Sequence, residues 1–122
     1  MAYEALDFYD IDSLLTDEER MIRDVVRDWV EERILPNIEE ACREGVFPDE
    51  WRAEIGEMGI LGAPLKGYGC PGLSYTAYGL ICQELERGDS GVRSFASVQG
   101  SLVMYPIWDF GSEEQKLSLI HI

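Results

Sequence analysis

The sequence predicts an all-α fold, on three observations. Apolar residues recur at helical spacing, as in Ile22, Val25, Val26, Trp29 and Val30, while Arg23, Asp24, Arg27, Asp28, Glu31 and Glu32 populate the opposite side. Helix-start residues stand ahead of such runs at Thr16, Ser74, Asp89 and Ser112, and glycines stand behind them. No β-alternation of useful length appears anywhere. With 122 residues and 46% hydrophobic content, the chain fits one domain with a core of its own.

Residues 1–15 show no sustained period and read as an arm. Thr16 and Glu19 then have the form of a capping box, and Asp17, Glu18 and Glu19 suit the positive end of the first helix. Pro36 should kink or restart that helix, Ile38, Ala41 and Cys42 resume an apolar face, and Gly45 ends it. Pro48 suits the first turn of a second helix through Trp51, Ile55 and Met58, stopped by Gly59. Gly62 to Gly72 holds four glycines and two prolines and reads as a loop, without the pattern of a phosphate-cradling motif. Ser74 caps a third helix through Tyr78, Ile81, Cys82 and Leu85, with Gly88 at its end. Asp89 and Ser90 open a fourth, buried helix that Pro106 breaks or bends near its C-terminal end and Gly111 stops. Ser112 and Gln115 repeat the capping-box pattern and start a fifth.

The formal charge is −14, from 24 acidic against 10 basic residues, so nucleic acid and anionic membrane surfaces would be repelled. No apolar run approaches the ~20 residues of a membrane span, and the N-terminus lacks the parts of a signal peptide. A cytoplasmic protein is the expectation. Cys42, Cys70 and Cys82 show no C-x-x-C spacing and read as reduced thiols. The one histidine is His121, which leaves no imidazole chemistry for the body of the domain. Glu31, Glu32, Glu39, Glu40 and Glu44 read as a solvated helix face rather than a metal cluster. Tyr68, Tyr75, Tyr78, Phe95, Tyr105 and Trp108 read as core aromatics rather than a cofactor wall. Gln99 has no assigned role.

Arg93 is the residue of interest. From Ser94 to Trp108 no side chain carries a formal charge, and Ser94, Ala96, Ser97, Gly100 and Ser101 keep the surroundings small. A cation beside such a surface requires a counter-charge, from a protein carboxylate or a bound anion. Ser97, four residues on, shares its helix face. Two readings stand side by side: Arg93 binds an anionic ligand, or it pairs with Asp89 one turn earlier, a contact worth about 0.2–0.5 kcal/mol on an exposed helix. Glu84, Glu86 and Asp89 are expected at the helix surface or in capping.

The run ELERGDSGVRSFASVQGSLVMYPIWDFGSEEQK, with MGILGAPLKGYGCPGLSYTAYGLICQ and LTDEERMIRDVVRDWVEERILP before it, resembles the N-terminal helical domain of acyl-CoA dehydrogenases. The likeness covers Ile11 to Lys116, and the Arg-Ser-x-x-Ser pattern is most similar to the glutaryl-CoA dehydrogenase branch. The resemblance implies FAD as cofactor, acyl-CoA as substrate (glutaryl-CoA in that branch), electron-transfer flavoprotein as acceptor and a homotetramer when full length. It also implies α-proton abstraction with β-hydride transfer to flavin, followed in the glutaryl branch by loss of CO2 to give crotonyl-CoA. Arg93, Ser94 and Ser97 match the residues that hold the distal carboxylate of the acyl chain there, and an arginine suits that task through its planar pair of donors. The catalytic glutamate and the principal flavin contacts of the family lie beyond Ile122, so no catalytic, flavin or metal residue carries over.

The expected organisation is therefore a helical domain over residues 1–116, truncated before the β-domain of the family, and a non-native tail over residues 117–122. Leu117-Ser118-Leu119-Ile120-His121-Ile122 matches the in-frame translation of CTGTCTCTTATACACATC, a common sequencing-adapter end. Such a fragment would be inactive alone and would not hold FAD. The alternatives are a dehydrogenase for another acyl-CoA with Arg93 in a structural role, or an acidic helical adaptor that binds a partner helix through the weakly polar Phe95–Ile107 surface.

Overall fold

The computed structural model describes residues 6–119. After a 3-10 turn at Ile11–Leu14 come α1 (Asp17–Trp29), α2 (Ile38–Glu44), α3 (Asp49–Glu57), α4 (Tyr75–Gly88), α5 (Ser90–Ser97), α6 (Tyr105–Phe110) and α7 (Glu113–Leu119). The all-α expectation holds, with one addition. The glycine-rich loop folds into a two-residue antiparallel pair, β1 (Lys66–Gly67) and β2 (Cys70–Pro71), with Lys66 opposite Pro71. Tyr68 and Gly69 between them both take positive φ, 54° and 83°, as a tight hairpin turn requires. Strands this short contain no alternation for a sequence to display.

Local chemistry explains where the helices start. Thr16 and Glu19 form the full capping box, with Glu19 N–H on Thr16 Oγ1 at 3.2 Å and Thr16 N–H on Glu19 Oε2 at 3.0 Å. The other Glu19 oxygen accepts from Ser74 Oγ at 2.7 Å, and Ser74 Oγ in turn caps α4 through Ala77 N–H at 3.0 Å. The starts of α1 and α4 are thus tied together by one carboxylate. Ser112 and Gln115 repeat the box at α7, and Gly45 closes α2 in the left-handed conformation.

Both mid-helix prolines are approached through a wide turn. Val30–Ile34 and Val98–Met104 are π-helical, with Leu35 N–H reaching Val30 O and Tyr105 N–H reaching Gly100 O, five residues back. Pro106 therefore falls in the first turn of α6, directly after the wide turn that interrupts the run from Ser90 to Phe110.

The core gathers Val26, Val30 and Ile34 from the first helix, Trp51 and Ile55 from α3, Ile81 and Leu85 from α4, and Val92 and Ala96 from α5. Each fully buried Ile or Leu stabilises the fold by about 1.5–3 kcal/mol through loss of water contact. Val26, Val30 and Ile34 form one buried stripe at four-residue spacing, and Val25 is half exposed, so Val25 is not part of the buried face. Gly88 serves packing rather than a left-handed cap. A Cβ there would sit 2.7 Å from Val30 Cγ1 and 3.2 Å from Ile34 Cγ2. The fourth helix is buried only along Val92, Ala96 and Gly100. Leu102 and Phe110 on it are 70% and 81% exposed, which corrects the expectation of a buried helix.

The aromatic set divides in the same way. Phe95 packs on Phe47, with ring centroids 5.2 Å apart, and Tyr78 joins the core edge, whereas Tyr75 is exposed. Among the described residues, no helix is long and apolar enough to cross a membrane, and no cluster of His, Cys, Asp or Glu is arranged to hold a metal. His121 lies outside the described residues.

Candidate functional site

The corner at Gly88 and Asp89 folds α5 back against α4. Asp89 makes that corner by accepting the N–H groups of Gly91 at 2.7 Å and Val92 at 3.1 Å through one carboxylate oxygen. Its carboxylate is spent on the helix start, so the alternative pairing of Asp89 with Arg93 is not formed. Tyr78, Cys82 and Glu86 lie at four-residue intervals on the facing side of α4. Opposite them stand Arg93 and Ser97, with Ser101 beyond.

Arg93 Nε donates to Glu86 Oε2 at 2.6 Å, and Nη1 donates to Ser97 Oγ at 3.1 Å. Ser97 Oγ donates onward to Ser94 O at 3.3 Å, so Ser94 enters this network through its backbone carbonyl. Ser90 Oγ donates to the second oxygen of Glu86 at 2.5 Å. Tyr78 OH and Ser101 Oγ share a hydrogen bond of 2.9 Å at the far end of the seam. The Arg93 side chain is 35% exposed, and its Nη2 makes no hydrogen bond among the described residues.

Electrostatics follow from these contacts. The hydrogen bond from Arg93, reinforced by that from Ser90, holds the Glu86 carboxyl below the usual carboxylate range. Reciprocally, Glu86 makes Arg93 harder to deprotonate. Burial pushes the Cys82 thiol and the Tyr78 phenol up, so both stay neutral at physiological pH. The seam is an Arg93–Glu86 ion pair with otherwise neutral polar neighbours. It can receive an anion, and it contains no group poised as a base.

One acid lies where the sequence did not put it, and the partner of another was missed. Glu86 is the partner of Arg93, seven residues away around the corner, and its four-residue spacing from Tyr78 and Cys82 was the available signal. Glu84 is 1% exposed rather than at the surface, and it accepts from Arg27 Nη2 at 2.8 Å and Arg87 Nε at 2.9 Å. No local pattern reveals that, because Arg27 is 57 residues away.

The pattern of the acyl-CoA dehydrogenase N-terminal domain matches residues 16–121. The chain belongs to the acyl-CoA dehydrogenase family. A glutaryl-CoA dehydrogenase from Mycobacterium smegmatis, solved in complex with FADH2, superimposes with a TM-score of 0.90 at 48% identity, over 98% of this chain and 31% of that one. An acyl-CoA dehydrogenase of Bacillus subtilis (strain 168) is 34% identical over 107 residues, 87% of this chain and 28% of the relative. The rat mitochondrial short-chain specific acyl-CoA dehydrogenase is 32% identical over 103 residues, 84% of this chain and 25% of the relative. The chain thus spans about a quarter of the curated acyl-CoA dehydrogenases it matches.

Acyl-CoA dehydrogenases of this kind imply a flavin, and the described residues show no cluster of arginines free of a carboxylate partner for its pyrophosphate. Every arginine, from Arg20 to Arg93, is ion-paired with a carboxylate, so no cluster of uncommitted guanidinium groups is available to a pyrophosphate.

Proposed function

We propose that this domain belongs to a longer FAD-dependent acyl-CoA dehydrogenase acting on glutaryl-CoA, and that Arg93 and Ser97 receive the distal carboxylate of the acyl chain. The observation that carries the reading is the half-open guanidinium. Of its five N–H groups, Glu86 takes Nε–H and Ser97 takes one on Nη1, while Nη2 makes no hydrogen bond among the described residues. Glu86 and Ser97 lock the rotamer, so a carboxylate arriving at Nη2 meets a donor already oriented. Fixing the far end of the acyl chain in this way fixes the carbons at which oxidation occurs, and small misplacements there are costly in rate.

The longer protein supplies FAD, the catalytic carboxylate and the surfaces of a homotetramer, and it passes electrons to an electron-transfer flavoprotein. Residues 117–122 are a non-native tail in this reading, with Leu117–Leu119 extending α7. A second reading is favoured by one contact: because Glu86 already neutralises Arg93, the pair is self-sufficient as a brace between α4 and α5, in a dehydrogenase for an uncharged acyl chain.

The test is Arg93→Met in the full-length gene product. Turnover of glutaryl-CoA should fall by two orders of magnitude or more, with flavin content and butyryl-CoA oxidation retained. Unchanged glutaryl-CoA kinetics would sink the assignment and leave the brace.

A further inference from the structure

A cleft of about 480 Å3 lies between the Lys66–Pro71 hairpin, the Val98–Met104 turn with α6, and α7. Leu65, Val103, Met104 and Ile107 make it apolar, with Leu119 of the proposed tail adding to the lining, and the Tyr68 and Trp108 rings flank it. Its volume falls within the range of small-molecule sites. Its walls are fastened together: Trp108 Nε1 donates to Lys66 O at 2.8 Å, and Tyr68 OH donates to Glu113 Oε2 at 2.5 Å. Gly62 lets the hairpin seat closely, since a Cβ there would sit 2.8 Å from Cys70 Sγ and 2.9 Å from Met104 Cε.

Beside Cys70 and the two rings, Gln99 and Lys116 line this space. The Gln99 amide makes no hydrogen bond among the described residues. Lys116 is only 17% exposed, yet its ammonium has one long contact, 3.3 Å, to Glu113, which is itself 73% exposed and shared with Tyr68. A largely covered cation on apolar walls, weakly paired and next to an uncommitted amide, is complementary to an acid head on an apolar body.

We propose that this cleft binds a small amphipathic carboxylate, its head group on Lys116 and Gln99 and its chain along Val103, Met104 and Ile107. The site shares no residue with the Arg93 seam and stands independently of the substrate assigned to that seam. Glu113 competes for Lys116, and the net charge of −14 opposes any anion, so binding is modest.

The experiment titrates the full chain with octanoate, followed by tryptophan fluorescence, with octanol as the uncharged control. Saturable octanoate binding is expected, with octanol at least tenfold weaker, and Trp108→Phe should remove most of the signal. Lys116→Met should weaken octanoate at least tenfold and Gln99→Leu several-fold, with Arg93→Met unchanged. Circular dichroism checks each fold. If Lys116→Met does not fold, Gln99→Leu and Glu113→Gln decide, the latter strengthening binding by freeing Lys116. Equal binding of octanol, or parent-like binding by both Lys116→Met and Gln99→Leu, overturns the site. Loss of octanoate binding in Arg93→Met would overturn it too, by moving the carboxylate to the other seam.

Discussion

Glu84→Gln is the substitution whose effect follows most directly from the packing. The Glu84 carboxylate, 1% exposed on α4, accepts Arg27 Nε at 3.1 Å, Arg27 Nη2 at 2.8 Å and Arg87 Nε at 2.9 Å. Glutamine keeps the shape but turns an NH2 group toward a guanidinium donor, so one charge-assisted bond is lost and the others weaken. Hydrogen bonds to charged groups contribute about 1.5–3 kcal/mol each. Arg27 and Arg87 remain 40% and 31% exposed and can recover water, so the loss stays below that of a fully buried broken pair, about 3–5 kcal/mol. The expected destabilisation is about 2–3 kcal/mol, or on the order of 10 °C in Tm for a domain of this size. Urea and thermal unfolding followed by circular dichroism measure it, with Glu39→Gln in the exposed Glu39–Arg43 pair as a control that leaves the transition where it was.

The same pair of proteins gives a pH test with a definite sign. Burial is the largest single influence on Glu84 and disfavours its charge, but the hydrogen bonds and charges of Arg27 and Arg87 together outweigh it and hold the carboxyl below the usual range. A depressed folded value means stability that is fully present above the unfolded-chain pKa, about 4.3 for Glu, and lost as pH falls through the folded value. The gap between parent and Glu84→Gln should hold from pH 7 to about 5 and narrow below about 4. A gap of less than about 0.5 kcal/mol at pH 7, or one that widens in acid, would refute the reasoning.

Two further substitutions test the corner that presents Arg93. Gly88→Ala forces a methyl group against Val30 and Ile34 and should cost about 1–3 kcal/mol, read by chemical denaturation; a stabilised variant would show that the glycine is there for another reason. Asp89→Ala removes the cap from α5 and should cost about 1 kcal/mol, with faster amide exchange at Gly91 and Val92; unchanged exchange would contradict the capping geometry.

Features set by neighbouring residues were legible in the sequence. Thr16 with Glu19, Ser112 with Gln115, and Ser74 and Asp89 each act within three residues, so their patterns announce helix starts directly. What was not legible depends on the assembled fold. The burial of Glu84 requires Arg27 on another helix, and the role of Gly88 is visible only once Val30 and Ile34 lie against it. Val25 has helical spacing, yet the buried stripe runs through Val26, Val30 and Ile34, and Val25 stays half exposed. Pro106 correctly signalled an interruption, while the turn that accommodates it lies upstream. At the candidate site, Arg93 and Ser97 stood out because they share a face, whereas Glu86 was hidden by the corner between α4 and α5.

The account rests most heavily on this domain being one part of a flavin-dependent dehydrogenase, and the direct measurement is long-read sequencing of the source locus across the codon for Lys116. The account predicts an open frame that departs from the Leu117–Ile122 sequence and continues into a β-rich flavin domain and a helical bundle with a catalytic glutamate. A genuine stop codon after Ile122 would contradict it, and a search for a protein partner of the exposed Leu102 and Phe110 surface would then replace the dehydrogenase assay.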